Sequence, residues 1–473
     1  MKSGSAQVIE VIRGDKPVSA SQLLRLVVAF ATPAILAQIS AILMQCIDAA
    51  MVGRLGAEST AAIGLVSTTI WLVGGVMSST SAGFSVQVAH LIGSGRHNRA
   101  SMVVRQALMV GLAVAAVMMT VGLVIAPHLP VWLGGASDVV PLSTSYFTIF
   151  CISLPILITN YMAGSILRCS GNVFIVGALN VVMCCLDVLF NFFLIFGTRQ
   201  FTILGLSLTV PGAGLGVVGA AVGTLLAELV SGGVMFWFLC TRCKELALTR
   251  HPGRFRLTAE CVFKAFKIGS PMAVEHTAIC GAQIAGTMIV APLGTVAVAA
   301  NSLGITAESL CYMPGYGIGD ASTTLVGQSL GAKRSDLARK FALISLALGI
   351  GSMTVLGVVM YVFAPEIFAA LTPVAAVQSL GAEALRIEAF AEPMFAASIV
   401  SYAIFVGMGD TIVPCFINLG CMWLVRITLA ATLAPLYGLK GVWFAMCLDL
   451  CLRGIIMLVR VKFTNWSKCS QKS

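Results

Sequence analysis

Charge is scarce in this sequence. Charged residues make up only 10% of the 473 residues, hydrophobic residues make up 58%, and the mean hydropathy is +0.97. Soluble domains carry about 25% charged residues, so this shortage excludes a soluble globular fold. The long apolar runs, many of about the 20 residues that a spanning helix needs, predict a polytopic membrane protein. Because the runs are continuous rather than alternating, they favour helices over the strands of an outer-membrane barrel.

Motifs for nucleotide, cofactor and enzymatic chemistry are also lacking. The stretch 214–219 matches G-x-G-x-x-G, but it opens a predicted span and follows no strand, so it does not predict a dinucleotide site. The sequence has no Walker A motif and no H-E-x-x-H motif. The fifteen cysteines lie mostly within or beside predicted spans, where cysteine behaves as a small apolar residue. We therefore expect no cofactor, no ATP-driven transport by this chain and no enzymatic activity.

An internal duplication organises the chain. The second half repeats the first at a constant offset of 238 residues. The matched residues are mostly of the types that fix kinks, turns and close helix contacts. The pairs include Pro33 and Pro271, Gln45 and Gln283, Gly93 and Gly331, Pro155 and Pro393, and Asn180 and Asn418. Two residues related by this offset are called repeats of each other below.

The repeat and the apolar runs together predict an all-α polytopic membrane protein. We expect twelve transmembrane helices in two homologous six-helix bundles, parallel repeats related by a pseudo-two-fold axis along the membrane normal. The expected spans are 26–51, 60–90, 102–126, 140–167, 174–197, 212–239, 266–292, 297–327, 340–364, 378–405, 412–435 and 439–460. The expected domains are an N-terminal arm (1–22), a first bundle (23–239), a basic linker (240–265), a second bundle (266–462) and a tail (463–473).

The positive charges follow this topology. Of the 29 Lys and Arg residues, 23 fall in segments on the side of the termini, three in loops on the other side, and three inside spans. This asymmetry predicts a cell (inner) membrane protein with both termini in the cytoplasm. It also explains the net charge of +10 without a nucleic-acid partner. The basic linker is expected to be a solvated tether between the halves, with anionic lipid headgroups as its natural neighbours.

Ionisable residues inside spans are the candidates for function, because each costs at least about 2.5 kcal/mol at membrane depth. Asp48 is the clearest, and it shares a face of the first span with Gln45. In the fifth span, Asn180, Asp187 and Asn191 lie on one helix face. Carboxylate and amide oxygens suit either Na⁺ or a proton. Hydrogen bonding between helices is the structural alternative for these residues.

Four short segments carry a resemblance to a known family. They are CIDAAMVGRLG (46–56), VAHLIGSGR (88–96), ILRCSGN (166–172) and GMGDT (407–411). In this order and spacing they resemble the multidrug and toxic compound extrusion (MATE) family, and the resemblance covers residues 25–460. It implies a cation-coupled antiporter of twelve helices in two bundles that alternates between outward-open and inward-open states.

The resemblance also implies a cation site in the first bundle. The first-span acid of the family matches Asp48, and polar positions that the family associates with the site match Asn160 and Thr224. Archaeal-type members pair an Asn with an Asp one turn later in the fifth span, whereas this chain has the reverse order, Asp187 then Asn191. We expect no metal other than Na⁺ at Asp48 and Asp187.

The second bundle holds secondary candidates. Glu275 lies one turn before the position at which many members of the family carry a seventh-span acid, and Gln283 repeats Gln45. The tenth span carries Glu388 and Glu392 near the position of another family acid, and we expect Arg386 to pair with one of them. The first bundle is therefore the stronger candidate for ion coupling.

These observations predict an antiporter that exports amphipathic, cationic organic compounds by alternating access, driven by H⁺ or Na⁺. The alternative is a flippase or exporter for a lipid-linked saccharide or another amphiphile. A pyrophosphate group would need cationic residues in the cavity, and only Arg386, Arg426 and Arg453 lie inside spans. Since the duplication supplies both bundles, one chain is expected to form a complete pathway.

Overall fold

Helices dominate the computed structural model, which describes residues 11–12, 14, 18–203, 206–243, 245–246, 248–249 and 256–472. Most of the predicted N-terminal arm and the middle of the predicted linker lie outside these residues. The helices of the first half are α1 (Ala20–Gly53), α2 (Ala57–Gly93), α3 (His97–Ile125), α4 (Leu129–Trp132), α5 (Val140–Cys169), α6 (Val173–Ile195) and α7 (Gly216–Thr241).

The second half follows the same order with more interruptions. Its α-helices are α8 (Ala259–Val290), α9 (Thr295–Gly331), α10 (Ser335–Val362), α11 (Ala364–Leu371), α12 (Ala375–Ala389), α13 (Glu392–Met408), α14 (Ile412–Gly420), α15 (Thr428–Tyr437), α16 (Leu439–Phe463) and α17 (Trp466–Lys472). A 3₁₀ turn (Ala291–Leu293) follows α8, and a π-helical segment (Cys421–Ile427) joins α14 to α15.

Ten helices of the described part of the chain are long and apolar enough to cross a membrane, and α12 with α13, bent by 57°, forms an eleventh candidate. The predicted eighth span, α9, is less apolar and lies outside this set. Its first and last residues are the repeats of the first and last residues of α2, and both helices are 37 residues long. Because α9 repeats α2 in position and length, it corresponds to the predicted eighth span, and the count of twelve spans stays a prediction.

A β-hairpin that the sequence analysis did not predict interrupts the first half. Strands β1 (Gly197–Ile203) and β2 (Leu206–Ala213) pair antiparallel, with Gly197 opposite Ala213. The hairpin lies between α6 and α7, whereas only Gly438 separates the equivalent helices α15 and α16. We call the side of the membrane with the hairpin the hairpin face, and the side where α1 begins and α16 ends the terminal face.

Each half has its own apolar core, and a third core joins the two halves. In the joint core, Leu23, Val27 and Phe30 from the first three turns of α1 pack against residues of α9, α10 and α13, such as Leu325 and Phe405. These α1 residues lie near the terminal face. The joint core therefore holds the two bundles together at that end of the molecule.

Glycines allow the closest approaches between the halves. A side chain at Gly83 would collide with the backbone of Ala265, and one at Gly269 would press on Ser79. At mid-membrane, Gly75 lies against His276. These contacts lie between mid-membrane and the terminal face. The two bundles are therefore packed most closely in the half of the membrane next to the terminal face.

Candidate functional site

Three polar side chains meet in the hairpin-side half of the first bundle. Asn191 on α6 donates from Nδ2 to Oδ1 of Asp48 on α1 at 2.8 Å. The same nitrogen donates to Oδ2 of Asp187, one turn earlier on α6, at 3.0 Å. Asp187 and Asn191 are fully buried, whereas Asp48 is partly exposed. The cluster therefore bridges the first and fifth spans and reaches the surface through Asp48.

Neighbouring helices supply the walls of this cluster. A side chain at Gly223 on α7 would collide with the Asn191 amide, so a residue without a Cβ is needed where α7 crosses α6. The next residue, Thr224, faces Asp187. Tyr146 on α5 interacts electrostatically with both acids. The sequence analysis identified Thr224 but missed Tyr146, whose type and position alone carry no functional signal.

One amide nitrogen of Asn191 donates to both acids, so the carboxylates of Asp48 and Asp187 lie side by side. Two ionised carboxylates this close repel each other, so a proton or a cation between Asp48 and Asp187 would stabilise the pair. Oδ1 of Asp187 and Oδ1 of Asn191 are buried, and neither has a hydrogen-bond partner in the described part of the chain. Oxygen atoms without a hydrogen-bond partner, beside a pair of carboxylates, are suitable ligands for a proton or Na⁺. The chemistry of these oxygens would suit one monovalent cation.

Three predicted residues do not join this cluster. Asn160 on α5 donates to Sδ of Met183 at 3.7 Å instead. Asn180 lies seven residues before Asp187, about 10 Å away along α6. Gln45 is exposed on α1, one turn before the site. Helical periodicity placed Gln45 and Asn180 on suitable faces, and the resemblance matched Asn160, but neither kind of signal reports depth or neighbours.

The second bundle holds a carboxylate–amide pair of its own. Asn418 on α14 donates from Nδ2 to Oε1 of Glu275 on α8 at 2.5 Å. Tyr402 on α13 lies near Glu275, and Arg453 on α16 adds a favourable charge nearby. Glu275 is only 6% exposed. Gln283, the repeat of Gln45, is exposed on α8 and lies two turns beyond this pair.

A separate group of acids lies deeper in the second bundle. Glu308 on α9, Glu388 on α12 and Glu392 on α13 are 5%, 1% and 1% exposed, and they interact with one another electrostatically. Arg426 in the π-helical segment is the cation that offsets Glu308 and Glu388. We call these four residues the glutamate cluster. Both oxygens of Glu388 and of Glu392 are buried without a hydrogen-bond partner among the described residues.

The expected pairing of Arg386 is wrong. Its Nε donates to the backbone oxygen of Tyr361 at 3.2 Å, and its guanidinium lies 5.6 Å from the Tyr361 ring centroid. Residues two positions apart on a helix point to different sides, so Arg386 faces away from Glu388, and no ion pair joins it to Glu392 across the bend between the described helices α12 and α13. No role was predicted for Glu308. It is far from Glu388 and Glu392 in sequence, so the sequence does not show that the three glutamates lie together.

Among the described residues, no group of three or more His, Cys, Asp or Glu side chains is arranged to hold a metal ion. A site for Na⁺ in the first bundle would therefore rely on amide and hydroxyl oxygens as well as the two carboxylates. Asp48, Asp187, Asn191 and Thr224 supply oxygens of this kind. This donor set fits a hard monovalent cation.

The family model MatE matches the chain twice, over residues 33–193 and 271–432. The two matches correspond to the two halves of the duplication. This chain belongs to the MatE family. The family comprises multidrug efflux transporters rather than enzymes, so the chain is a multi-pass membrane transporter with two repeated bundles.

Relatives match this MatE chain over nearly its whole length. A probable multidrug resistance protein NorM of Xanthomonas axonopodis pv. citri is 26% identical over 441 residues, covering 92% of this chain and 93% of the relative. A protein of the same description from Neisseria meningitidis serogroup B is 25% identical over 480 residues, covering 95% and 98%.

Solved structures of MATE transporters share the fold. A crystal structure of MATE in complex with MaL6 has a TM-score of 0.87 at 19% identity and covers 99% of this chain and 100% of its own. An outward-facing multidrug resistance MATE transporter of the MOP superfamily has a TM-score of 0.87 at 19% identity and 98% coverage of both chains. The fold expectation of two homologous helical bundles is confirmed.

Proposed function

We propose that this MatE-family transporter is an antiporter that couples export of amphipathic organic cations to entry of H⁺ or Na⁺. The observation that supports this proposal is the single amide nitrogen of Asn191 that donates to both Asp48 and Asp187. Two acids at membrane depth that share one amide donor hold more negative charge than their surroundings neutralise. A single bound cation restores the balance.

The difference in exposure suggests how the ion enters. Asp48 is partly exposed, while Asp187 and Asn191 are fully buried. An ion arriving from the hairpin face would meet Asp48 first and then bridge the two carboxylates. A cationic substrate would be attracted by Asp48 in the same way. Competition for one carboxylate couples the two ligands without covalent chemistry, because each ligand favours the state in which it binds better.

The flippase alternative fits the structure less well. Arg453 forms an ion pair with Asp449 on its own helix, and Arg426 is engaged by the acids of the glutamate cluster. The third arginine inside a predicted span, Arg386, contacts Tyr361. These engagements leave the second bundle with little free positive charge for a pyrophosphate headgroup. An acidic first-bundle site favours a cationic substrate instead.

The remaining features of the proposal concern placement in the cell. The terminal face would be cytoplasmic, since 23 of the 29 Lys and Arg residues lie on that side in the predicted topology. The basic linker would then lie beside the anionic headgroups of the inner leaflet. A single chain contains both bundles and the site, so a monomer would suffice for transport.

The experiment that tests the proposal is efflux of a fluorescent organic cation from proteoliposomes, with a pH gradient and a Na⁺ gradient imposed separately. We expect one gradient to drive transport and the Asp48→Asn protein to lose that dependence. Asp48→Glu, which keeps the charge, is the matched control. Equal gradient-driven transport by wild type and Asp48→Asn would contradict coupling at this site. Transport of a lipid-linked saccharide analogue, with none of the organic cation, would support the alternative.

A further inference from the structure

Two hydrogen bonds cross between the bundles near the terminal face. His90, in the last turn of α2, bonds through Nε2 to the backbone oxygen of Gly407 on α13 at 2.9 Å. Gln328, in the last turn of α9, donates from Nε2 to the backbone oxygen of Cys169 on α5 at 2.6 Å. Each bond reaches from one half of the chain to the other. We call the pair the terminal clasp.

The two bonds are copies of each other. Gln328 is the repeat of His90, and Gly407 is the repeat of Cys169. Each half thus contributes one donor and one acceptor at repeated positions, although the donors differ in type. The repeated positions also carry the closest backbone contact. A side chain at Gly93 would collide with the Gln328 backbone, and one at its repeat would collide with the His90 backbone.

Both acceptors are unused helix carbonyls. The last carbonyls of a helix have no intrahelical donor and need another partner. At the end of α5, the turn amides of Gly171 and Asn172 bond to Arg168 and Leu167, which leaves the Cys169 oxygen for Gln328.

The end of α13 repeats this pattern. The amides of Gly409 and Asp410 bond to Val406 and Phe405, and the Gly407 oxygen is left for His90. Each bundle therefore caps a fourth-span helix of the other. The carbonyl end of a helix also carries partial negative charge, which strengthens the hydrogen bond from a donor placed there.

Other polar bonds between the halves lack this symmetry. Gln87 on α2 donates to the backbone oxygen of Cys261 on α8 at 3.1 Å. The repeat of Gln87 is Leu325, which has no polar atom in its side chain. Within the described part of the chain, only the clasp engages both halves reciprocally. A rotation of one bundle against the other about the pseudo-two-fold axis would strain both of its bonds together.

We propose that His90 and Gln328 are the two gate residues of the terminal face: their reciprocal capping bonds keep the bundles closed there, and both bonds break when the protein opens to that side. This inference rests on the alternating access of the proposed function, but it does not depend on which ion or substrate is used. The clasp positions the bundles and does not contact either ligand. Breaking it favours the state that is open at the terminal face.

The test measures amide hydrogen exchange by mass spectrometry on the full chain in lipid nanodiscs. Gln328→Leu and His90→Leu remove one donor each. We expect exchange to rise in residues 88–96 and 326–334 at the terminal face and to fall at the hairpin-face ends of α1 and α8. The ratio of protein open at the terminal face to protein open at the hairpin face should rise about fivefold when one leucine is introduced and about 25-fold when both are. These factors correspond to the loss of one or two net hydrogen bonds.

Two control variants separate gating from general weakening. His90→Gln makes the clasp symmetric and keeps a donor, so it should behave as wild type. Thr323→Val removes a hydrogen bond of 2.8 Å from α9 to Ala403 within the second bundle. It should raise exchange near that bond without lowering exchange at the hairpin face. If a leucine variant does not fold, Gly331→Ala, which pushes a methyl group against His90, replaces it with the same expectation.

The opposite changes at the two faces are the decisive signature. The proposal is overturned if both leucine variants exchange like wild type, or if exchange rises at both faces as expected from mere destabilisation. The measurement needs no transported compound. A failure of the Asp48 transport experiment would therefore leave this result standing, and a failure here would leave ion coupling at Asp48 untouched.

Discussion

The two bundles pack their helices in the same order, but their carboxylate–amide pairs lie at different depths in the membrane. In the first, Asn191 bonds Asp48; in the second, Asn418 bonds Glu275. Both pairs link the first and fifth spans of their bundle across a separation of 143 residues. The repeat of Glu275 is Ala37, eleven residues before Asp48, or about 16 Å along the helix. The polar bridge has therefore moved by about three turns between the halves.

The helices that carry charge differ in regularity as well. Val173–Ile195 runs as one α-helix through Asp187, whereas its repeat contains the π-helical segment with Arg426. Val140–Cys169 is continuous through Pro155, whereas the repeated span bends by 57° between Glu388 and Glu392. π-Helical segments are frequent at functional sites. The duplication preserved the prolines, glycines and packing, while the ionisable residues diverged.

The largest effect that we expect comes from the first-bundle acids. Asp187→Asn should reduce gradient-driven efflux by about 100-fold or more, because the amide neither takes up a proton nor supplies the negative charge that offsets Na⁺. Glu275→Gln, the matched change in the second bundle, should reduce it less than tenfold. Initial efflux rates in proteoliposomes measure both. A larger loss for Glu275→Gln than for Asp187→Asn would reverse the assignment of the coupling bundle.

The glutamate cluster should show a large effect on stability. Arg426→Met removes the cation that offsets Glu308 and Glu388 at a distance, which should lower the free energy of unfolding by about 1–3 kcal/mol. Adding Glu308→Gln should recover part of the loss, since one buried charge is then removed. Thermal unfolding in detergent at fixed pH measures both variants. No recovery in the double variant would show that Arg426 acts through packing alone.

A smaller effect should come from rebuilding the second-bundle pair in the first bundle. Ala37→Glu places a carboxylate opposite Asn180, the repeat of Asn418. With the amide present, the new acid should cost about 1–3 kcal/mol less than in an Asn180→Leu background, which leaves it without a donor. A double-mutant cycle on unfolding free energies gives the coupling. A coupling near zero would mean that the two depths are not structurally equivalent.

Much of the fold could be predicted from the sequence because its signals are local. Hydropathy marked the spans, and repeated Pro and Gly residues fixed the register of the two halves. The hairpin was missed, although the run FTILGLSLTV (201–210) contains β-branched and aromatic residues around a glycine. That signal is weak beside the strong apolar spans on either side. The bend between α12 and α13 lies just before Pro393, whose repeat Pro155 lies inside a continuous helix, so the residue type alone did not predict it.

The site was predictable only in part. Asp48, Asp187 and Asn191 were identified by residue type and spacing, and the structure brings them together; their role in ion coupling remains a prediction. Asn180 was identified in the same way and Asn160 by the resemblance, and both lie elsewhere. Contacts between helices depend on depth and rotation, which a helical repeat of 3.6 residues does not encode. The partnership of Arg426 with the buried glutamates depends on the same tertiary information.

The most direct test of the account compares how each bundle couples ion to substrate. The affinity of purified protein for a fluorescent organic cation is measured at increasing H⁺ or Na⁺ concentration, for wild type, Asp48→Asn and Glu275→Gln. We predict that wild type and Glu275→Gln lose affinity with a slope of about one ion per substrate. Asp48→Asn should show no dependence on the ion. An unchanged slope in Asp48→Asn, with the slope lost in Glu275→Gln, would contradict coupling through the first bundle.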